Sequence, residues 1–236
     1  MIPLSDEHAT RDAAVVSRTI MGLCILVFLW QSFSRPWGAL APGALGFTPG
    51  TFFSGGSDDP MFSWAPFSIT PVTYLFLHGG ILHLAGNLLF LWVFADNVEE
   101  AFGQPGFLVF YLLTGALAAL AQAALAPDST IPVIGASGAV SGVLGAYLVL
   151  HPRAQLQVLV PIFIIIDVVK LPAWIVLVFW FVVQLLYDQA APEAGGGVAF
   201  RAHIGGFIAG VVLTPLFRLL CRSRVSANLA APSALL

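Results

Sequence analysis

From Ser17 to Leu220 the chain consists of apolar runs of roughly 15 to 25 residues, with Asp, Glu, Lys and Arg held almost entirely in the stretches between them. A helix needs about 20 mostly apolar residues to cross the hydrocarbon core of a bilayer. Inside that core every backbone polar group must be satisfied within the protein. Together these requirements point to an all-α integral membrane protein. Composition agrees: 58% of the 236 residues are hydrophobic and 9% are charged, against about 25% charged in a soluble domain. A formal charge of −3 without a basic cluster argues against a nucleic-acid partner. Cys24 and Cys221 lie at or inside apolar runs and make neither a disulfide framework nor a metal cluster, so no metal or other cofactor is expected. The opening MIPLSDEHATRDAAVVSR is polar and acidic and does not read as a cleaved signal peptide.

Six spans are expected, at about 17–33, 71–95, 105–126, 137–151, 171–187 and 202–220. The fourth stops before His151-Pro152, because proline disfavours helical geometry in the residue ahead of it. The interval 34–70 is rich in Gly, Pro and aromatic residues and poor in charge, which suits a loop lying in the membrane interface. The run 155–170 is apolar and β-branched but is broken by Pro161, Asp167 and Lys170, and reads as a connecting segment rather than a span. Six spans put both termini on one side. With the N-terminus inside, seven of the nine Lys and Arg residues fall on inner segments, and only Arg35 and Arg201 on outer ones. By the positive-inside rule this predicts a cytoplasmic N-terminal segment (1–16), one domain (17–220) and a cytoplasmic C-terminal tail (221–236).

The fourth span is short. From Ser137 to His151 a helix is about 22 Å long at 1.5 Å per residue, against a hydrocarbon core of about 30 Å. If it ends at the inner surface, Ser137 lies below the outer one, and the backbone of IPVIGA ahead of it dips into the membrane. Such backbone survives where protein buries it or water reaches it. The expectation is a water-filled depression with a serine at its floor and a helix N-terminus, favourable to negative charge, beneath it. For GASG alone the packing reading is preferred, since small residues such as Gly138, Gly142 and Gly145 commonly line a close helix–helix contact.

The histidines shift that balance. His78, His83 and His203 fall in membrane segments, where ionisable groups are costly and functional by default. His203 opens the last span near the depth of Ser137, and Gly206 and Gly210 behind it allow close approach to a glycine-faced neighbour. A serine and a histidine so placed make a nucleophile and base pair. His83 and Asn87, four residues apart, share a helix face and can donate to an oxyanion. Interhelical hydrogen bonding is the plainer alternative for that pair, and capping or water binding the plainer one for His203.

HGGILHLAGN, GASGAVSG and AHIGGF, in this order and on these spans, resemble the rhomboid intramembrane serine proteases, as do NVEEAFG after the second span and HPRA after the fourth. The resemblance covers about residues 17–220. It implies a six-transmembrane-helix rhomboid-like bundle whose short fourth helix starts at the buried nucleophile. It also implies hydrolysis of peptide bonds in or next to transmembrane helices of single-span or multi-span membrane-protein substrates. Carried over by motif, Ser137 resembles the nucleophile and His203 its base. His83, Asn87 and the backbone N–H of Ser137 resemble the oxyanion hole, and His78, Gly135 and Gly138 supporting positions. The location implied is a prokaryotic inner membrane, with the site opening to the outer face.

In two places the chain departs from many relatives. Ser141 stands where an aromatic residue lies beneath the histidine ring, so support for His203 is expected from Phe207 or Tyr147, and the interval 34–70 carries SRPWG rather than Trp-Arg. Other intramembrane protease chemistries fit poorly. His78 and His83 are five apart with no Glu between them, unlike a zinc-binding His-Glu-x-x-His, and no pair of acids falls within the spans. A transporter would show paired repeats, and none is visible. The competing reading is an inactive rhomboid-like protein that binds membrane clients in quality control. The fifth span, with Phe179, Trp180, Phe181 and Leu185, and the glycine run 195–197 are expected to gate substrate entry.

Overall fold

The computed structural model describes residues 1–7, 10, 13–56, 59–62, 64–162, 165–190 and 199–230. In chain order the elements are β1 (Ile2–Asp6), α1 (Val15–Phe33), α2 (Trp37–Leu45), α3 (Pro49–Ser54), α4 (Thr70–Thr73), α5 (Ile81–Leu125), α6 (Ser137–Leu150), β2 (Gln155–Ile162), β3 (Ile165–Pro172), α7 (Ala173–Ala190) and α8 (Phe200–Ala230). The protein is mostly helical. Four helices are long and apolar enough to cross a membrane: α1, α5, α7 and the Phe200–Cys221 part of α8. Their large apolar side chains point outward, among them Leu26, Trp92, Val109, Leu186, Val212 and Leu219, as expected where lipid rather than water is the solvent.

The expected second and third spans are the two helical arms of α5, which meet at a non-helical residue, Gly103. α5 is 45 residues long and starts at Ile81 rather than near Pro71; residues 67–76 form short helical turns instead. A straight helix of that length would reach about 68 Å, more than twice the core thickness. Gly103 breaks it, with φ 69° and ψ 162°, a left-handed φ that glycine adopts without a Cβ clash. The second arm folds back beside the start of the first, since Tyr74, just ahead of α5, donates its hydroxyl to the Gly115 carbonyl at 2.8 Å.

α6 and α8 pack backbone to backbone. A Cβ on Gly206 would fall 2.1 Å from the Gly138 carbonyl oxygen, one on Gly210 2.1 Å from that of Gly142, and one on Gly145 2.3 Å from that of Phe207. Small residues replace the hydrophobic drive that lipid removes and let dispersion act over the whole contact. This contact fixes where the first turn of α8 stands relative to the first turn of α6.

An all-helical fold was expected, and a small antiparallel sheet of order β1-β2-β3 is present beside the helices. The connecting segment at 155–170 is not a span; it is most of a hairpin in which Gln155 pairs with Pro172 and Ile162 with Ile165. Leu156 and Val158 are fully buried while Gln155 and Gln157 are not, the two-residue alternation of a half-buried strand. α7 therefore begins at Ala173, not Leu171, and α8 continues to Ala230, beyond the expected end at 220. The interval 34–70 is tied down by the Phe47–Val133 backbone pair and by Thr73, whose hydroxyl donates to the Leu45 carbonyl at 2.6 Å. Trp37 of SRPWG packs edge-on to Trp64.

Candidate active site

Ser137 is the first residue of α6, and His203 lies in the first turn of α8. The glycine contacts between the two helices bring the side chains together: His203 Nε2 is 2.7 Å from Ser137 Oγ. His203 is buried, at 8% exposure, and Ser137 is half-buried. As the leading residue of a helix, Ser137 presents a backbone N–H that has no acceptor within the helix. Gly135 makes the turn ahead of it with φ 119°; a Cβ there would lie 2.6 Å from His83 Nε2 and 3.7 Å from Ser137 Oγ. No other residue fits both that φ and that space.

His83 therefore stands beside the serine, across Gly135. Its Nδ1 accepts from the Gly79 N–H at 3.4 Å, so the ring proton sits on Nε2, the nitrogen that faces Gly135. Asn87 is buried one helical turn further along α5 and donates through Nδ2 to the His83 carbonyl at 3.0 Å. It makes no direct hydrogen bond to Ser137 or His203. His78 is also set apart from the serine. Its ring packs edge-on to His83 at 5.3 Å, its Nδ1 lies 3.3 Å from the Phe76 carbonyl, and its backbone N–H donates to Gln31. Gly138 lies against Tyr74 and Ala118, where a Cβ would fall 2.6 Å and 2.8 Å away.

Support for His203 differs from the expectation. Tyr147 is at the other end of α6, where its hydroxyl donates to Asp6 at 2.6 Å. Phe207 stacks on Phe181 rather than under the histidine. The ring nearest in orientation to His203 is Trp180 of α7, 6.1 Å away and inclined by 33°. Ser141 turns inward, donating to the Ser137 carbonyl at 2.7 Å. The sequence reading missed Gln184 of α7 altogether. Its Oε1 is 2.9 Å from His203 Nδ1. The available signal was a lone amide in the apolar run Val182–Leu186.

Among the described residues, no group of three or more His, Cys, Asp or Glu side chains is arranged to hold a metal ion. What the site can do chemically is narrower. A hydroxyl bonded to an imidazole, beside a histidine N–H and a helix N-terminus, is an arrangement for nucleophilic attack with charge stabilisation. The glycine run 195–197, expected to cap it, lies outside the described residues.

A family model of the rhomboid domain matches residues 68–219, well over half of the chain. The chain belongs to the rhomboid family. Rhomboid protease GluP of Bacillus subtilis is 42% identical over 80 residues, covering 34% of this chain and 15% of that protein. Rhomboid-like protein 11, chloroplastic, of Arabidopsis thaliana is 30% identical over 153 residues, covering 60% and 50%. Rhomboid protein 1, mitochondrial, of Saccharomyces cerevisiae is 31% identical over 144 residues, covering 58% and 38%. The chain thus spans half or less of the length of these relatives. They come from a bacterium, a chloroplast and a mitochondrion, so the expected prokaryotic inner membrane draws no support from rhomboid membership; integral membrane character does, from the apolar helices.

Proposed function

We propose that this chain is an intramembrane serine endopeptidase, with Ser137 as nucleophile and His203 as general base. The 2.7 Å contact between Ser137 Oγ and His203 Nε2 carries the reading. In this mechanism Ser137 Oγ attacks a substrate carbonyl carbon as His203 Nε2 takes its proton. The oxyanion accepts hydrogen bonds from the Ser137 N–H and His83 Nε2–H, and from Asn87 once its amide swings toward the site. His203 then protonates the leaving amine, and water repeats the sequence on the acyl-enzyme. Attack and expulsion share one proton carrier, as in other serine hydrolases.

In the same reading α1, the two arms of α5, α6, α7 and α8 make six spans, with 17–220 as the protease domain and residues 1–16 and 221–236 on the cytoplasmic side. At 14 residues, α6 reaches only about 21 Å, which supports a serine sunk below the outer surface. Substrates are membrane proteins entering from lipid past α7, whose Phe179, Val182 and Leu186 are exposed. Cross-linking the outer ends of α7 and the first arm of α5 should slow cleavage of a single-span substrate; an unchanged rate removes this gate.

The deciding experiment is the purified protein in detergent with a fluorophosphonate probe and a single-span substrate. Labelling and cleavage are expected in the wild type and neither in Ser137→Ala. Asn87→Ala should cleave about 10²–10³-fold more slowly, the usual cost of one oxyanion donor. A well-folded wild type that neither labels nor cleaves would instead be a client-binding rhomboid.

A further inference from the structure

The imidazole of His203 has two nitrogens, and only one faces Ser137. The other, Nδ1, meets Gln184 Oε1 at 2.9 Å. Gln184 is 7% exposed, and the rest of its amide is committed, since Nε2 donates to the Trp180 carbonyl one turn back at 3.4 Å. That second contact sets the amide so that oxygen faces the histidine. The ring nitrogen opposite must then carry the proton. Nε2 is left with its lone pair toward the serine hydroxyl, which is the tautomer a general base requires. In serine hydrolases with a third member, a carboxylate performs this task. Among the described residues no Asp or Glu bonds to His203. The nearest acid along α7, Asp188, is paired with Arg201 at 3.1 Å.

The position of Gln184 in the fold matters as much as its chemistry. It comes from α7, whereas the serine and histidine come from α6 and α8. Gln184 and Asp188 are four apart on one face of α7, and both bond to the start of α8, at His203 and Arg201. Arg201 also donates to the Leu125 carbonyl at the end of α5. The seating of α7 and the orientation of the His203 ring are therefore one variable.

Resting on the serine protease reading, we propose that Gln184 is a positioning residue that holds the His203 tautomer, making the Ser137–His203 pair competent only while α7 is seated against α8. A substrate that displaces α7 on entry strips Nδ1 of its acceptor. Proton transfer then resumes when the helix closes again behind the substrate. Gln184 makes and breaks no covalent bond; it accepts the Nδ1 hydrogen bond while α7 is seated and releases it while α7 is displaced.

The test compares Gln184→Met, which keeps the length but removes the acceptor, with Gln184→Glu, which restores it. Both are measured in the full chain in detergent for fluorophosphonate labelling rate against pH and for kcat and KM on a single-span substrate. Gln184→Met should lose about 10–100-fold in labelling rate and kcat with little change in KM, by analogy with the loss when the partner that orients a metal-bound histidine is removed. Gln184→Glu should recover most of that loss. Its acidic limb should move to higher pH, because a carboxylate stabilises the imidazolium more than an amide does. A Gln184→Met rate within twofold of wild type overturns the proposal. So does a Gln184→Glu profile that stays in place. The 15N shifts of His203 in the wild type need no variant to fold. A proton found on Nε2 instead of Nδ1 also overturns it. Ser137→Ala and His203→Ala run beside these: if they still label and cleave, the protease reading has failed; if they are dead while Gln184→Met is normal, only the role of Gln184 has.

Discussion

Gly210 of α8 rests on the backbone of Gly142 in α6, so that a single added Cβ would fall 2.1 Å from the Gly142 carbonyl oxygen. The neighbouring atom is backbone, which cannot rotate away, so the two helices would have to separate. Separation acts on Ser137 and His203 directly, because the same helix pair carries them. Gly210→Ala should therefore lower the thermal midpoint in detergent, with an overpacking cost of about 1–3 kcal/mol, and reduce fluorophosphonate labelling as well. Gly22→Ala is the control, because nothing lies within 4 Å of a Cβ at Gly22, and it should be neutral or slightly stabilising. Equal midpoints for the two variants would remove the helix contact as the cause.

Asp6 fastens the N-terminal strand to the bundle. Its Oδ2 accepts from the Tyr147 hydroxyl at 2.6 Å and from Asn97 Nδ2 at 2.8 Å. Tyr147→Phe removes one donor and should cost about 1.5–3 kcal/mol, as for a hydrogen bond to a charged group. Asp6→Ala removes the acceptor of the Tyr147 hydroxyl and one of the two acceptors of Asn97 Nδ2, which also donates to Asp96 Oδ1 at 3.1 Å, and should cost more. Thermal unfolding ranks the two, and the reverse order would show that Asp6 is not the fastening point.

The apolar runs made the four membrane-length helices readable, because a bilayer demands length and low charge wherever a helix crosses it. Ser137, His83 and His203 stood out as candidates for a related reason: polar groups at membrane depth contrast with that background. Gln184 was not, because an uncharged amide in a span has an ordinary use in bonding a neighbouring helix, and which neighbour depends on how α7 packs. The hairpin at 155–172 was hidden by Pro161, Asp167 and Lys170, which break the apolar pattern; its sequence QLQVLV does alternate, and Leu156 and Val158 are the buried face. The strand at Ile2–Asp6 is five residues long and gains its identity only from pairing with β2. The two arms of α5 follow the two expected spans, and they meet at Gly103, whose left-handed φ breaks the helix between them.

Glu99, in the NVEEAFG stretch, closes the N-terminus of α1 from another helix. Its two carboxylate oxygens accept from the N–H groups of Val16 and Ser17 at 2.8 Å each, whereas Ala14 at the start of α1 supplies no side-chain cap. The carboxylate is almost fully buried and sits where a helix favours negative charge. Glu99→Gln keeps one acceptor and the shape, and should cost about 1 kcal/mol. Glu99→Ala leaves two buried N–H groups without partners, and should cost about 2–3 kcal/mol or more. Both should leave the labelling rate per folded molecule unchanged. A labelling loss in Glu99→Gln at full thermal stability would give this residue a part in the chemistry that its distance from Ser137 along the fold does not suggest.

The last prediction concerns acid. His203 acts as a base only when its ring is neutral, and the group facing Nδ1 is an amide rather than a carboxylate. Labelling and cleavage should both fall on acidification and return when the sample is neutralised. The sign is fixed by the mechanism: protonation blocks acceptance of the Ser137 proton, so the loss is on the acidic side. It should appear in kcat/KM, which reports the free enzyme. Substitution of Asp188 or any other single acid should not reproduce the loss given by His203→Ala in a protein that stays folded. Asp188→Asn is the sharpest case, because it breaks the ion pair with Arg201 one turn from Gln184 while leaving the His203 contact intact. A moderate fall in substrate turnover, with the pH limb unmoved, fits a loosened α7. A loss as deep as that of His203→Ala would make Asp188 the third member of the site and end the account of a dyad held by an amide.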